Sequence, residues 1–182
     1  MATEKGFQKL TFTYEALKKW FDALQVEKCR DTTIPITEAY NRVLAEDIVA
    51  NEDLPRFDRS AMDGFAVRAE DTNGASQTKP LLFRLAESPD LTDTAHREAK
   101  QVWTGNPIPS GATAVVILEN TQKKDPKIEI WTQAAPGDNI IRKGEDVKKG
   151  EIAAKAGTRL NPYYIGLLSA LGYSEVKVVE KT

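Results

Sequence analysis

The chain has 182 residues, of which 41% are hydrophobic and 29% are charged, and its formal net charge is -2. This length allows one or two domains with a buried core, and the composition is that of a folded protein rather than a disordered one. The charge balance provides no broad basic field, which argues against nucleic acid or an anionic membrane as a partner. No apolar run approaches the roughly 20 residues needed to span a bilayer, and residues 1–12 lack the apolar core of a secretory signal.

Cysteine and histidine are scarce, and this limits the metal and redox chemistry open to the chain. The single cysteine, Cys29, excludes an internal disulfide framework and is typical of a protein in the reducing cytoplasm. With one cysteine and one histidine, the sequence argues against a structural zinc site. Any metal would therefore be held by oxygen ligands.

The first predicted element is a helix in the stretch TYEALKKWFDAL, residues 13–24. Leu17, Phe21 and Leu24 recur at helical spacing, and lysines lie on the other side. Thr13 is placed to cap this helix, since a threonine side chain can accept a hydrogen bond from the first turn.

Between this helix and residue 136 the pattern changes from helical to β. A shorter helix is predicted in TEAYNRVLAE, where Ala39, Val43 and Leu44 share a face, and DIVA follows as a short strand. From residue 51 to about residue 136, prolines and glycines punctuate short runs rich in β-branched and aromatic residues, which predicts a small, mostly β region. The predicted strands lie in GFAV, PLLFRL, QVWTG, TAVVILE and KIEIW, and KKDPK is predicted to form a hairpin turn.

The helix with the clearest boundary signals is predicted after residue 160. Asn161 is a natural N-cap, Pro162 suits the first helical position and Gly172 supplies the stop. The apolar stripe of this helix consists of Ile165, Leu168 and Leu171. The closing run EVKVVEK alternates, which predicts a strand with Val176 and Val178 on one side.

The stretch FDRSAMDGFAV, residues 57–67, admits a structural and a chemical interpretation. Ser60 and Asp63 have the S-x-x-D spacing of a capping box, although Gly64 would limit such a helix to about one turn. Asp58 lies between two arginines in RFDR and is placed for a solvated ion pair with them. The same polar side chains are candidates for a chemical site, and the stretch by itself leaves both interpretations open.

Two later segments have the same ambiguity. In TGNPIPSGATAVV, prolines and glycines stiffen a loop that presents Thr104 and backbone N–H groups to an oxyanion, or that only reverses the chain. In NIIRKGEDVKKGE, alternating charge is typical of a solvated face, but Gly144 allows both signs to line one wall of a cleft. Carboxylates such as Asp63 and Asp146 are suited to magnesium, and the basic groups beside them to an oxyanion.

Together, the three segments resemble the molybdopterin molybdenumtransferases, the family of bacterial MoeA and the gephyrin E domain. LPRFDRSAMDGFAVR is similar to the family's S-A-M-D-G stretch, and TGNPIPSGATAVV is similar to its T-G-x-P-x-P-x-G-A-D-A-V segment. NIIRKGEDVKKGE and AGTRLNPYYIGLLSALG resemble the pieces that precede the family's pterin-binding domain. The resemblance covers essentially the whole chain.

The resemblance implies a discontinuous fold of the α+β class. A base domain with the N-terminal helix and irregular, coiled β-sheets is expected from residues 1–50 plus 137–182. A small mixed α/β domain that carries the S-A-M-D-G motif is expected to be inserted between them, over residues 51–136.

The resemblance also implies a reaction, a transferase activity in molybdenum cofactor biosynthesis. In this reaction molybdate is inserted into the dithiolene of adenylylated molybdopterin, and AMP is released with the help of a divalent cation such as Mg²⁺. Asp63 is then expected to orient substrate or cation, Thr104 to offer its hydroxyl to an oxyanion, and Asp146 to serve as a metal-binding or positioning carboxylate. The implied substrate-binding residues beside them are Arg59, Ser60 and Arg142.

This chain departs from the family pattern at two positions and in its length. Thr113 stands where the family usually has aspartate, and Arg59 stands where many members have asparagine. Thr113 removes a negative charge from the loop, and we expect this in the part of the loop that has a structural role. Arg59 adds a cation beside the implied site. Full family members continue with a pterin-binding α/β domain and then a small β domain. The resemblance assigns no part of these 182 residues to either of those two domains.

Because the two further domains of the family are not found in these 182 residues, we consider two hypotheses, one an enzyme and the other a non-catalytic module. The first is that the chain supplies one wall of the active site of a molybdenum-insertion enzyme and is inactive without a pterin-binding domain, in cis or in trans. The second is a non-catalytic module of the same family that forms a homodimer or binds another partner.

Overall fold

The structure is a computed structural model that describes residues 11–24, 29–91 and 97–180. Its two α-helices are α1 (Thr13–Ala23) and α2 (Pro162–Ala170). Its strands are β1 (Asp31–Pro35), β2 (Ile48–Val49), β3 (Arg59–Ser60), β4 (Gly64–Val67), β5 (Leu81–Leu85), β6 (Glu98–Val102), β7 (Ala114–Ile117), β8 (Thr121–Lys124), β9 (Lys127–Ile130), β10 (Ile140–Ile141), β11 (Ile152–Ala154) and β12 (Glu175–Val179). Short 3-10 helices occupy Ile36–Glu38, Ala69–Thr72 and Leu118–Asn120.

A six-stranded sheet is formed by the middle of the chain, with the strand order β7-β4-β6-β5-β9-β8. Its neighbouring strands are antiparallel, except for β5 and β6, which are parallel. All four residues of β4 are buried, as expected for an uncharged strand inside a sheet. The sheet packs around a hydrophobic cluster whose largest members include Phe65, Phe83, Ile128 and Ile130.

The remaining strands form three separate antiparallel pairs, β1 with β12, β2 with β11 and β3 with β10. A second hydrophobic cluster includes Leu44, Leu160, Leu168, Leu171 and Val178. Because these pairs are short and do not join into one sheet, the prediction of irregular β-structure is confirmed. The two helices and the mixed strands also confirm the α+β class.

The predictions for α2 and for the strand that follows it are confirmed. The Asn161 side chain accepts a hydrogen bond from the Tyr164 N–H at 3.0 Å, and Pro162 is the first helical residue. Gly172 has a φ of +82°, a left-handed conformation that ends the helix without a steric penalty. Val176 and Val178 are both buried on one side of β12, which alternates as the sequence predicts.

The α1 helix is present as predicted, but it is neither capped nor packed in the way the sequence suggests. The N-cap residue is Phe12, whose side chain makes no capping hydrogen bond, so the prediction of a Thr13 cap is wrong. Thr13 is already helical, and a capping side chain must come from the residue before the first turn. No residue of α1 is buried, and the aromatic rings of Phe12 and Trp20 are mostly exposed.

The second predicted helix, over residues 37–46, is wrong. Only the 3-10 turn at Ile36–Glu38 is helical, and Asn41 then adopts a left-handed φ of +63°. Leu44 instead forms a β-bridge with Val178, and its N–H donates a hydrogen bond to the Thr158 carbonyl at 2.9 Å. Pairing with distant strands buries Leu44, and a local pattern of apolar residues cannot show that alternative.

A strand is present in each of the predicted runs between residues 51 and 136, although the bounds of most of these strands differ from those of the run. β8 and β9 form an antiparallel hairpin around the sequence KKDPK. Within the described part of residues 51–136 there is no α-helix, and the helical content is limited to the 3-10 turns at Ala69–Thr72 and Leu118–Asn120. No helix in the described residues has the length and apolar character that crossing a membrane requires.

Candidate functional site

The three segments singled out in the sequence lie side by side, with β3 in the middle. On one side of β3, the Ser60 N–H donates to the Asn106 carbonyl at 2.9 Å, and the Gly105 N–H donates to the Ser60 carbonyl at 2.8 Å. On the other side, β3 pairs with β10, and the Ala61 N–H donates to the Asn139 carbonyl at 2.9 Å. Backbone pairing therefore places the S-A-M-D-G stretch between the T-G loop and the segment that contains R-K-G-E-D.

Asp63 and Thr104 are in direct contact. The Thr104 N–H and the Thr104 hydroxyl both donate to Oδ1 of Asp63, each at 2.8 Å. The second oxygen, Oδ2, has no hydrogen bond to any described residue, and both side chains are exposed. The Thr104 N–H, and then its hydroxyl, hold the pKa of the Asp63 carboxyl below its ordinary value, and desolvation offsets only part of this effect. Asp63 is therefore an ionised carboxylate with one oxygen free for a ligand.

The chain between Ser60 and Asp63 is a tight turn rather than a capped helix, so the capping-box interpretation is wrong. Ser60 belongs to β3 and is buried, and its hydroxyl donates to the Met62 carbonyl. The chain then enters β4 at Gly64, where a Cβ atom would lie 2.1 Å from the Val116 carbonyl oxygen. Only glycine fits this close approach of two backbones.

Asp58 does not pair with the two arginines beside it in the sequence. Its Oδ2 accepts a hydrogen bond from Nη1 of Arg142 at 2.6 Å, and its Oδ1 accepts one from the Lys143 N–H at 2.8 Å. The Lys143 N–H, followed by the Arg142 guanidinium, lowers the pKa of the Asp58 carboxyl. The predicted ion pair within RFDR is therefore wrong. Asp58 instead links the S-A-M-D-G segment to the segment that contains R-K-G-E-D.

The two arginines of RFDR have different environments. Arg56 forms an exposed ion pair with Glu52 at 2.6 Å. Arg59 is half-buried, and its Nε is buried without a hydrogen-bond partner among the described residues. The backbone of Arg59 forms an antiparallel β-bridge with Pro107 of the T-G loop.

The segment after β10 is a turn stabilised by its own side chains. The Arg142 N–H donates to Oε2 of Glu145 at 2.7 Å, and the Glu145 N–H donates to the Arg142 carbonyl at 3.1 Å. Gly144 has a φ of +70° and packs against the Asp53 side chain. This confirms that glycine is needed where the chain redirects between the basic and the acidic pair.

Asp146 lies at the end of that turn. Its N–H donates to the Leu54 carbonyl at 2.9 Å, which fixes its backbone, and its side chain is exposed. Asp63 and Thr104 are joined by direct hydrogen bonds, whereas no hydrogen bond or ion pair links Asp146 to either of them in the described ranges. Those ranges also contain no group of three or more His, Cys, Asp or Glu side chains arranged to hold a metal ion.

Two residues of the site were not anticipated from the sequence. Asn106 closes the turn that carries Thr104, since its Oδ1 accepts from the Trp103 N–H at 3.1 Å. Asp53 binds the segment after β10, with its Oδ1 accepting from the Lys149 N–H at 2.8 Å. The Asn-Pro dipeptide at 106–107 is a turn signal that could have indicated Asn106. No local signal exists for Asp53, because its partner lies 96 positions away.

Thr113, where the family usually has aspartate, has a structural contact. Its hydroxyl accepts a hydrogen bond from the Ala69 N–H at 2.9 Å, at the start of the 3-10 helix Ala69–Thr72. An aspartate oxygen can accept the same bond, so threonine keeps the contact without the charge.

This combination of an α+β fold and three adjacent motif segments is that of a MoeA N-terminal region. The model of the family described as "MoeA N-terminal region (domain I and II)" matches residues 13–172. The chain belongs to this family.

Named relatives and a solved structure agree with this assignment. Molybdopterin molybdenumtransferase 2 of Mycobacterium tuberculosis is 41% identical over 164 residues, which cover 87% of this chain and 40% of that protein. The molybdopterin molybdenumtransferase of Staphylococcus aureus is 38% identical over 154 residues, covering 82% of this chain and 37% of that protein. A crystal structure of the molybdopterin biosynthesis MoeA protein from Pyrococcus horikoshii superposes with a TM-score of 0.81 at 40% identity, over 92% of this chain and 45% of that chain. The chain thus spans about two fifths of the length of the curated relatives it matches.

Proposed function

We propose that this chain supplies one wall of the active site of a molybdopterin molybdenumtransferase. The proposed reaction inserts molybdate into adenylylated molybdopterin and releases AMP. One observation carries this proposal: three motif segments from distant parts of the chain meet at β3, where Thr104 holds the carboxylate of Asp63 with two hydrogen bonds. The names of the relatives support the same reaction.

The proposed roles of Asp63 and Thr104 follow from how their atoms are used. Oδ1 of Asp63 is taken by Thr104, so Oδ2 is the atom that would accept a donor from the substrate or bind a cation. The lowered pKa keeps this carboxylate charged at neutral pH. The Thr104 hydroxyl donates its hydrogen to Asp63, so toward an oxyanion it acts by holding and orienting that carboxylate.

The anionic substrate needs cations, and Arg59 and Arg142 are the proposed sources. A guanidinium binds phosphate-like oxyanions through several N–H groups in a fixed plane. Nη1 of Arg142 donates to Asp58, and this bond orients the guanidinium. The other N–H donors of Arg142 are then available for a ligand. Ser60 is buried and its hydroxyl is bonded to Met62, so its proposed role is to shape the turn that presents Asp63.

A magnesium ion is the proposed cofactor, with Asp63 and Asp146 as its protein ligands. The donor chemistry fits, because magnesium prefers oxygen and is commonly held by one or two carboxylates together with substrate phosphates. The described residues contain no denser acidic cluster, so the phosphate of the adenylyl group would complete the coordination. When bound, the ion would neutralise charge on that phosphate.

We further propose that the site is completed by a pterin-binding domain, either elsewhere in the same protein or on another chain. The division into a base domain, residues 1–50 plus 137–182, and an insert, residues 51–136, is part of this proposal. Two separate hydrophobic clusters support it, one around Leu168 and one around Phe83. A cytoplasmic location is proposed from the single free cysteine, Cys29.

The test is reconstitution of the reaction. The purified chain is mixed with the remaining C-terminal part of the Mycobacterium tuberculosis relative, and cofactor formation is measured with adenylylated molybdopterin, molybdate and Mg²⁺. We expect activity in the mixture and none with either part alone. Asp63→Asn is expected to abolish most of it without unfolding the chain, since it removes the charge and keeps the shape. Formation of cofactor by the chain alone, or full activity of Asp63→Asn, would overturn the proposal.

A second candidate function is favoured by α1. The side chains of Trp20 and Phe21 on α1, and of Phe12 at its N-cap, are exposed and belong to no hydrophobic core cluster of the described residues, which is unusual for a helix with one apolar face. We propose that this face contributes to a homodimer, the assembly implied by the family resemblance. Sedimentation of Trp20→Glu is the test: we expect a shift to monomer, whereas the exposed Tyr163→Glu on α2 should leave the mass unchanged. A wild-type chain that is monomeric at all concentrations would rule out this dimer.

A further inference from the structure

The side chain of Trp103, immediately before Thr104, takes no part in the contacts between Asp63 and Thr104. It is 51% exposed, although tryptophan side chains are highly buried on average in folded proteins. It also belongs to none of the hydrophobic core clusters of the described residues. The indole is therefore a large aromatic surface that the described part of the chain leaves open to solvent.

The pairing of β4 with β6 places this indole at the candidate site. The last pair of that ladder joins Gly64 to Val102. Continued by one residue in the same antiparallel register, the ladder sets Trp103 opposite Asp63, and residues opposite each other in such a ladder have Cβ atoms about 4.5–5.5 Å apart. The two hydrogen bonds from Thr104 to Asp63, each of 2.8 Å, show that the two segments are still in contact at this point.

The backbone of Trp103 is held on both sides, so the indole is attached to a fixed point. The Trp103 N–H donates to Oδ1 of Asn106 at 3.1 Å, and the Trp103 carbonyl accepts from the Asn106 N–H at 2.9 Å. These bonds close a turn over residues 103–106, in which Gly105 has a φ of +86°, as the third residue of a type II turn requires. A side chain on a fixed backbone loses less freedom when a ligand packs against it.

An exposed aromatic face beside a carboxylate is suited to a planar nitrogen heteroaromatic ring. Such rings stack on indole through their flat faces and need no hydrogen bonds to do so. The substrate of the proposed reaction contains two of them, the pterin and the adenine of the adenylyl group. The pterin would be bound by the pterin-binding domain that completes the site. The adenine is joined through one ribose to the phosphate that is proposed to meet the metal at Asp63.

We propose that Trp103 is a substrate-binding residue, whose indole stacks on the adenine ring of adenylylated molybdopterin. The identity of the ring rests on the function proposed above, whereas the exposure and the position of the indole do not. The family pattern T-G-x-P begins one residue after Trp103, so the motif assigns no role to this position.

The first experiment tests whether adenine binds at Trp103 in the 182-residue chain. The chain has three tryptophans, Trp20, Trp103 and Trp131, so one NMR spectrum follows all three indole N–H signals. The signal that is missing from Trp103→Phe belongs to Trp103. We expect millimolar AMP to shift this signal, because a stacked purine changes the magnetic field at the indole. Ribose 5-phosphate, which has the sugar and the phosphate without the ring, should leave it unchanged.

Trp20 is the matched control for non-specific stacking in the same spectrum. Its side chain is 58% exposed, slightly more than that of Trp103, but it lies on α1 and outside the candidate site. AMP should therefore leave the Trp20 signal in place. A Trp103 signal that does not move, or that moves no more than the Trp20 signal, would overturn the proposal. A shift caused by a free pterin and not by AMP would overturn the assignment to adenine.

Steady-state kinetics of the reconstituted mixture measure the effect on affinity. We expect Trp103→Ala to raise the KM for adenylylated molybdopterin about tenfold with little change in kcat, since stacking on a ring away from the reacting dithiolene stabilises ground state and transition state alike. The KM for molybdate should not change. Trp103→Phe keeps an aromatic face and should retain most of the affinity, whereas Trp103→Leu, apolar but without a ring, should resemble Trp103→Ala.

The failure of this proposal can be distinguished from failure of the function on which it rests. If the wild-type mixture makes no cofactor, the proposed function fails, and the NMR spectra still decide whether Trp103 binds adenine. If the mixture is active but Trp103→Ala has a normal KM, or Trp103→Leu matches Trp103→Phe, the stacking role is overturned and the proposed function stands. Tyr163→Ala, at an exposed aromatic residue of α2, is the control variant and should change neither kcat nor KM.

Discussion

Asp58 and Asp63 lie on the same short stretch of chain, but the structure uses their carboxylates differently. Both oxygens of Asp58 are taken, by Arg142 and by the Lys143 N–H, and these bonds join two segments of the fold. In Asp63 one oxygen takes both donors of Thr104, and the other has no partner in the described ranges. A carboxylate with both oxygens committed holds structure together, whereas one that is oriented through a single oxygen can still bind a ligand.

The difference between Asp58 and Asp63 can be tested by substitution, and among the variants that follow we expect the largest effect, a loss of turnover, from Thr104→Val. This change keeps the shape and the N–H of Thr104 but removes the hydroxyl donor to Asp63. The carboxylate then keeps one donor instead of two and is oriented less firmly, so the rate in the reconstituted mixture should fall roughly tenfold. The pKa of Asp63 should rise at the same time. The control is Thr132→Val, at a half-buried threonine whose hydroxyl donates only to the adjacent Gln133 carbonyl, and equal rates for the two variants would contradict the role of the Thr104 hydroxyl.

The next effect is expected from Asp58→Asn and concerns stability. The change weakens the bonds to Arg142 and Lys143, and because the pair is largely exposed we expect a loss of about 1 kcal/mol in the free energy of unfolding. Urea unfolding at neutral pH measures it. Glu52→Gln, which breaks only the exposed pair with Arg56, should cost less than about 0.5 kcal/mol. An equal cost for both variants would mean that Asp58 is no more structural than an ordinary surface acid.

The pH dependence of the free energy of unfolding of Asp58→Asn tests whether the charge of Asp58 is the cause of the stability loss. The folded-state pKa of Asp58 lies below its unfolded value of about 3.9. A carboxyl with a lowered folded pKa stabilises the protein above the unfolded pKa, and this contribution is lost as the pH falls through the folded pKa. The gap in unfolding free energy between wild type and Asp58→Asn should therefore shrink as the pH drops below about 4. A gap that persists in acid would point to packing rather than charge.

The smallest effect on stability is expected from Asp146→Asn. Its carboxylate is exposed and forms no hydrogen bond within the described ranges, so the free energy of unfolding should change by less than about 0.5 kcal/mol. If Asp146 binds magnesium, the concentration of Mg²⁺ that gives half the maximal rate should rise in the reconstituted mixture. An unchanged magnesium dependence would remove Asp146 from the metal site, and a stability loss as large as that of Asp58→Asn would reveal a structural role.

The sequence predicted those features that depend on neighbouring residues. α2 begins at Asn161 and Pro162 and ends before Gly172, because caps and breakers act within one turn of the helix end. The same reasoning failed at residues 37–46, where an apolar face at helical spacing is buried by β-bridges instead. It also placed the cap of α1 one residue too late, at Thr13 rather than Phe12.

For the candidate site, the sequence by itself determined which residues are present and which segments contain them. S-A-M-D-G, T-G-N-P and R-K-G-E-D each carry a polar group next to a glycine or proline that bends the chain. Only the tertiary structure decided the partners: Thr104 reaches Asp63 across 41 positions, and Arg142 reaches Asp58 across 84. Local patterns specify helix ends and buried faces, whereas the partner of an exposed carboxylate depends on how distant strands pair. In this protein the pairing of β3 with β10 and with the Asn106 loop made Asp58 a structural link and left one oxygen of Asp63 open.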